Sequence, residues 1–146
     1  MIFFTFLLSP FNRKLREGIV GRFNSLKHLK IFKSSTFKKK YWFHVASHGE
    51  FQQIETIIDS IKEDSNDVGI VVSFFSPSGF NNVNSRNIDC KIYLPFDFPI
   101  TILKALKIVN PDKIFFTSND FWPNFIFFAK LKKIELILSS ARVHEE

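Results

Sequence analysis

Residues 41–63 read YWFHVASHGEFQQIETIIDSIKE. The first six, Tyr41 to Ala46, form an apolar run broken only by His44. Such a run is what a strand buried on both faces requires. From Glu50 onward the apolar residues fall at Phe51, Ile54, Ile57, Ile58 and Ile61, the spacing of a helix with one buried face. The stretch predicts a buried strand over 41–46, a polar exit at Ser47-His48-Gly49-Glu50, and a helix over 50–63.

The alternation continues downstream. Strand patterns cover 68–75, 91–94, 113–117 and 134–138, and helix patterns cover 99–109 and 123–132. Pro99 and Pro123 stand at the first helical positions, where a missing N–H costs nothing. Ser76-Pro77-Ser78-Gly79 reads as a turn, and residues 24–40, polar and basic, read as a connector. Strand–helix alternation with continuously apolar strands defines an α/β fold with a Rossmann-like parallel sheet and flanking helices. Ligands of such folds sit beyond the carboxyl ends of the strands. The polar loops fall there: Ser47 to Glu50, Ser76 to Gly79, Pro95 to Asp97, Thr117 to Asn124 and Ser139 to Arg142.

With 146 residues the chain is long enough for one domain with a core. Its single cysteine, Cys90, excludes an internal disulfide and a cysteine-rich zinc site, and reads as a small buried hydrophobe. Charge is unevenly spread. Residues 1–40 carry ten Lys and Arg against Glu17, whereas 41–146 carry ten against thirteen acids, which together give the net +6. The chain thus divides into 1–40, an apolar start with a basic arm suited to phosphates, and 41–146, a near-neutral Rossmann-like domain. The apolar start is too short to span a bilayer, and its charges follow the apolar run instead of preceding it as in a signal peptide. It fits an interfacial anchor, with Arg13, Lys14 and Arg16 meeting anionic headgroups, or an element packed on its own domain.

Glu50, at the start of a helix, is either a first-turn helix acid or a carboxylate able to take a proton. Gly49 before it would let the backbone turn tightly. Ser76, Ser78 and Gly79 could offer hydroxyls and N–H groups to a sugar or phosphate, but with no Lys after the glycine they are not a P-loop. Trp122 with Asp120 suits sugar recognition, or else caps and packs a helix start. His44 reads as a core histidine, whereas His48 could face a ligand. No spacing suggests metal ligands or a Ser-His-Asp arrangement. The arm lacks the aromatic platform of a single-strand nucleic-acid binder, so no nucleic-acid partner is expected.

Six motifs in register resemble the N-terminal half of the Kdo (3-deoxy-D-manno-octulosonic acid) transferases. They are R-x-G-x-x-x-R-F at Arg16 to Phe23, W-x-H-x-x-S-x-G-E at Trp42 to Glu50, and S-P-S-G at Ser76 to Gly79. L-P-F-D follows at Leu94 to Asp97, E-x-E-x-W-P-N at Ser118 to Asn124, and N-A-R-x-S-E at Ser140 to Glu145. Ser118 and Asp120 replace the two glutamates, Ser140 replaces the asparagine, and His48 stands where the family has an apolar residue. The resemblance implies the N-terminal domain of a GT-B glycosyltransferase, its C-terminal donor domain not among these residues. It implies inverting, metal-independent transfer of Kdo from CMP-Kdo, with no cofactor, to the lipid A precursor in lipopolysaccharide synthesis. The place would be the cytoplasmic face of the inner membrane, at its anionic surface. Glu50 takes the general-base position. Ser47, His48, Gly49, Ser76, Ser78, Gly79, Asp120, Trp122, Asn124, Arg142, Arg16 and Arg22 are the implied substrate-binding residues. The chain alone is expected to be inactive, and a separately encoded C-terminal half is a possible partner. The other reading is a non-enzymatic membrane-surface module that retains the fold.

Overall fold

A computed structural model describes residues 13–33, 37–117 and 122–139. The order is α1 (Arg13–Lys33), β1 (Lys39–Val45), α2 (His48–Asp64), β2 (Val68–Phe74), α3 (Pro77–Asn82), β3 (Cys90–Tyr93), α4 (Pro99–Val109), β4 (Lys113–Phe116), α5 (Pro123–Leu131) and β5 (Glu135–Leu138). The five strands form one parallel sheet in the order β3-β2-β1-β4-β5. The chain runs outward from β1 to β3 and returns to β4, so the switch in direction lies between β1 and β4.

Alternation along each strand makes two cores. Trp42, Val71, Ile92, Ile114 and Phe116 face α1, α4 and α5, together with Leu29, Phe32, Leu106 and Phe125. Phe43, Val45, Ile70, Val72, Phe74 and Phe115 face α2, through Phe51, Ile54 and Ile58. Strand β2, flanked by β1 and β3, is buried along its whole length. Helix α4 starts on Pro99 and ends at Asn110, whose left-handed φ of 47° closes the helix before Pro111. Cys90 is buried in the first core and unpaired.

Two expectations are corrected. Residues 24–33 are not a connector but the second half of α1. Gly18, Ser25, Leu29 and Phe32 form its buried side, and Ser25 Oγ donates to Tyr93 O at 2.6 Å. The helical spacing was masked because only these few residues point inward while the lysines between them face water. The Ser76–Gly79 turn is the N-cap and opening of α3: Ser76 Oγ accepts from Gly79 N at 3.1 Å, and Pro77 takes the first helical position.

Gly21 sets how closely α1 approaches the sheet. A Cβ there would lie 2.1 Å from Cδ2 of Tyr93, whose buried ring is stacked on Phe80 at 4.3 Å. Gly21→Ala should gain about 1 kcal/mol of helix propensity and lose about 1–3 to overpacking. The expected outcome is a net loss of up to about 2 kcal/mol, checked by urea denaturation.

Candidate functional site

The polar loops gather beyond the carboxyl ends of the strands. After β1, Ser47 is the N-cap of α2, and its side chain accepts from Glu50 N at 3.4 Å. Glu50 reaches back in turn, and Oε2 accepts from Ala46 N at 2.6 Å. This is a capping box displaced by one residue. Oε2 also accepts from the Thr117 hydroxyl, at 2.9 Å, across the switch point from the end of β4. Among the described residues Oε1 of Glu50 has no hydrogen-bond donor. One carboxylate oxygen is fixed and the other is left at the rim.

Gly49 does not make a tight turn. It is the second residue of α2, has no positive φ, and a Cβ there would meet nothing within 4 Å. The absent side chain instead leaves space open above the helix start. Gly79 is the glycine with a steric role. Its Cβ would come within 3.1 Å of Ser47 C, 3.2 Å of His48 N and 2.8 Å of the Phe74 ring. Small size at position 79 therefore lets the α3 start lie against the α2 start, and brings Ser76 and Ser78 beside Ser47, His48 and Glu50. Ser76 spends its oxygen on its own helix and lies 3.1 Å from Ser78 Oγ, which is exposed.

A second cluster occupies the opposite face of the same rim. Arg22 of α1 lies over the Phe75 ring at 4.5 Å and donates to Leu94 O at 3.1 Å and Phe75 O at 3.0 Å. Burial pulls its guanidinium down to about 10, so it stays charged near neutrality. Its donors clamp α1 to the loops after β2 and β3, a different placement from the exposed Arg16. Phe75 in turn meets Trp122, with ring centroids 5.6 Å apart. Asn124, two residues on, is tied to Asp97: Nδ2 donates to Asp97 O at 2.6 Å. The Asp97 carboxylate accepts from the backbone N–H of Asn124 at 3.1 Å and of Phe125 at 2.9 Å. Two sequence motifs, Leu94 to Asp97 and Trp122 to Asn124, thus meet as one helix cap. Asp120 and Arg142 lie outside the described residues, as do Ser118, Ser140 and the apolar start.

His44 is buried, as expected, but only half satisfied. Nδ1 lies 3.2 Å from Ser73 O and 3.0 Å from Ser73 Oγ, while Nε2 has no partner. Burial is the chief cause that pulls its pKa down to about 3, with the Arg22 charge acting in the same direction. The folded state therefore binds no proton at His44 where the unfolded chain, near 6.5, begins to. Stability from this group is complete above about pH 6.5 and is lost as the pH falls toward 3. Between pH 6.5 and 5 the expected loss is about 2 kcal/mol, absent in His44→Phe, measured by denaturation at each pH.

Sequence reasoning marked Thr117 and Asp97 only as ends of rim loops and gave neither a role, and it did not mark Ser73. Ser73 could have been found: a lone hydroxyl inside the run Val68 to Phe75 needs a partner once buried. Thr117 required knowing that β4 lies beside β1.

No group of three or more His, Cys, Asp or Glu among the described residues could hold a metal. No described helix is long and apolar enough to cross a membrane.

A parallel sheet covered by helices on both faces, with its polar loops collected at the switch-point rim, is a Rossmann-like domain, and it matches the N-terminal domain of a GT-B glycosyltransferase. The model of the 3-deoxy-D-manno-octulosonic-acid transferase (Kdotransferase) family matches residues 18–146, and the chain belongs to that family. Similar proteins include the 3-deoxy-D-manno-octulosonic acid transferase of Aquifex aeolicus, 30% identical over 99 residues, with 66% of this chain and 27% of the relative covered. That of Haemophilus influenzae is 27% identical over 104 residues, covering 70% and 24%. A probable mitochondrial one of Arabidopsis thaliana is 29% identical over 104 residues, covering 70% and 23%. The chain spans about a quarter of the length of these relatives.

Proposed function

We propose that this chain is the acceptor-binding half of a Kdo transferase, which moves Kdo from CMP-Kdo to a hydroxyl of the lipid A precursor. Glu50 is the general base. The carrying observation is its carboxylate: Oε2 is held by Ala46 N and Thr117 Oγ1, while Oε1 meets no donor among the described residues. A base needs that division, one oxygen to fix its aim and one to receive the proton. Ser47, His48, Gly49, Ser78 and Gly79 surround it, and open space lies above Gly49. Trp122 and Asn124 complete the acceptor side, with Arg22 holding the rim together, and the family resemblance adds Asp120 and Arg142, which lie outside the described residues.

The exposed stripe of α1 supports the partner. Arg13, Arg16, Val20, Phe23, Lys27 and Lys30 recur at three- and four-residue spacing and are exposed. Cations meet the phosphates of the acceptor or of an anionic inner-membrane surface, and apolar groups meet acyl chains. The chain sits peripherally at the cytoplasmic face. The same stripe favours the second reading, a membrane-surface module without catalysis.

A GT-B site lies between two domains, so the isolated chain is expected to bind acceptor and not to turn over. The test supplies the purified chain with a polypeptide carrying the remaining part of a family member, and follows Kdo transfer from CMP-Kdo. Transfer that depends on both parts and on Glu50 supports the enzyme. Transfer by the chain alone sinks the half-enzyme reading. Equal rates for wild type and Glu50→Gln remove Glu50 from the base role, and no transfer with both parts present leaves the membrane module.

A further inference from the structure

Buried polar atoms in native proteins nearly always have partners, and an orphan needs an explanation. Two orphans belong to rings that touch each other here. His44 Nε2 and Trp122 Nε1 are both buried without a partner, and their rings meet edge-on at 5.5 Å and 87°. His44 is 1% exposed, whereas Trp122 reaches the surface beside Phe75. The pair lies on the α1 and α5 side of the rim, across the sheet from Glu50.

The hydrogen-bond pattern settles which atom donates. Trp42 Nε1 donates to Ser73 Oγ at 2.9 Å, and the Ser73 hydroxyl donates to Phe43 O at 3.4 Å. Ser73 meets His44 Nδ1 with its hydroxyl at 3.0 Å and with its carbonyl, which can only accept, at 3.2 Å, and the carbonyl selects the tautomer. Nδ1 carries the ring proton and Nε2 keeps a lone pair. Trp122 Nε1 is donor only. An acceptor and a donor therefore lie on two touching rings, both uncommitted, at the strand-end rim. A hydroxyl group is the one common ligand group that both donates and accepts through a single atom. Carboxylates and phosphates, acceptors only, leave His44 Nε2 unpaired, and ammonium groups leave Trp122 Nε1 unpaired.

We propose that His44 Nε2 and Trp122 Nε1 bind one sugar hydroxyl, which donates to the histidine and accepts from the tryptophan. Trp122 is the outer, half-buried wall, and His44 is the inner wall that Ser73 holds in one tautomer. The choice of sugar rests on the transferase reading, and either the Kdo or the acceptor's glucosamine could supply the hydroxyl. The placement rests on geometry alone.

Trp42 and Trp122 give two indole N–H signals in a ¹H–¹⁵N spectrum, and Trp42 is already bonded to Ser73. The protein is titrated separately with free Kdo and with β-1,6-linked glucosamine disaccharide. The Trp122 signal is expected to move while that of Trp42 stays, and the responding sugar identifies the source. The imidazole ¹⁵Nε2 resonance of His44 is expected to move with it. In His44→Phe the affinity is expected to fall about tenfold, the worth of one neutral hydrogen bond. Glu50→Gln is expected to keep the response, so failure of the base assignment and failure of this pair are distinguishable. Silence of both resonances with both sugars overturns the proposal even if His44→Phe does not fold. An unchanged affinity in His44→Phe does the same, as does a bridging water that persists in sugar-soaked crystals.

Discussion

Glu50→Gln is expected to lower Kdo transfer by about 10²- to 10⁴-fold in the two-part assay, with the folding midpoint nearly unchanged. The second half of that statement makes the first informative. Oε2 of Glu50 serves the fold, since it caps Ala46 N and binds Thr117 Oγ1. A glutamine amide oxygen can accept both of those hydrogen bonds, and its NH₂ then occupies the place of Oε1. The cap survives and the proton acceptor is gone. Glu50→Ala removes both, so its loss of activity would mix a catalytic effect with a frayed α2 start, worth about 1 kcal/mol. Thr117→Val separates the roles from the other side. It keeps the carboxylate but drops one of its two holds, and the expected result is a smaller fall in turnover that Thr117→Ser restores. A Gln variant with the transfer rate of wild type would leave Glu50 as a helix cap and nothing more.

That double duty explains why the site was only partly legible in the sequence. The spacing of Phe51, Ile54 and Ile58 announced α2, and the apolar runs announced a parallel sheet, because one-dimensional periodicity reports directly on which face is buried. The start of α1 carried no such signal. Its inward residues include Gly18, Gly21 and Ser25, which report close approach instead of apolar burial. Partners from distant strands were also hidden. Thr117 meets Glu50 across 67 positions, and Asp97 meets Asn124 across 27. Motif matching marked Leu94 to Asp97 and Trp122 to Asn124 as separate units. Only the fold shows them as two halves of one cap, so Asn124 has a structural task independent of any ligand. Gly49 and Gly79 likewise exchanged meanings. The glycine read as a turn leaves open space, and the one in an ordinary-looking turn allows two helix starts to touch.

The cap carries the largest stability effect expected in the chain. Helix α5 begins at Pro123 behind Trp122, which offers no side-chain cap. Its first N–H groups would be left without acceptors at a partly buried helix end. Asp97 supplies them from the loop before α4, with Oδ2 taking Asn124 N and Oδ1 taking Phe125 N. The carboxylate also faces the positive end of the helix dipole. Hydrogen bonds to a charged group contribute about 1.5–3 kcal/mol each, and the two share one carboxylate, so they do not add in full. Asp97→Ala is therefore expected to cost about 3 kcal/mol in chemical denaturation. Asp97→Asn should cost nearly as much, because its NH₂ must confront one of the two N–H groups. Asn124→Ala removes the side-chain bonds to Asp97 O at 2.6 Å and to its Oδ2 at 3.5 Å, and should cost about 1 kcal/mol. Since Asp97 accepts from both the backbone and the side chain of Asn124, the double variant should fall short of the sum of the two single losses by about 0.5–1 kcal/mol. The consequence reaches the rim. Trp122 is the residue that the cap holds over His44 and Phe75, so loosening α5 should broaden or shift the Trp122 indole signal and leave that of Trp42 unchanged. A fully additive pair with an undisturbed Trp122 signal would mean that the cap stabilises α5 without positioning the site.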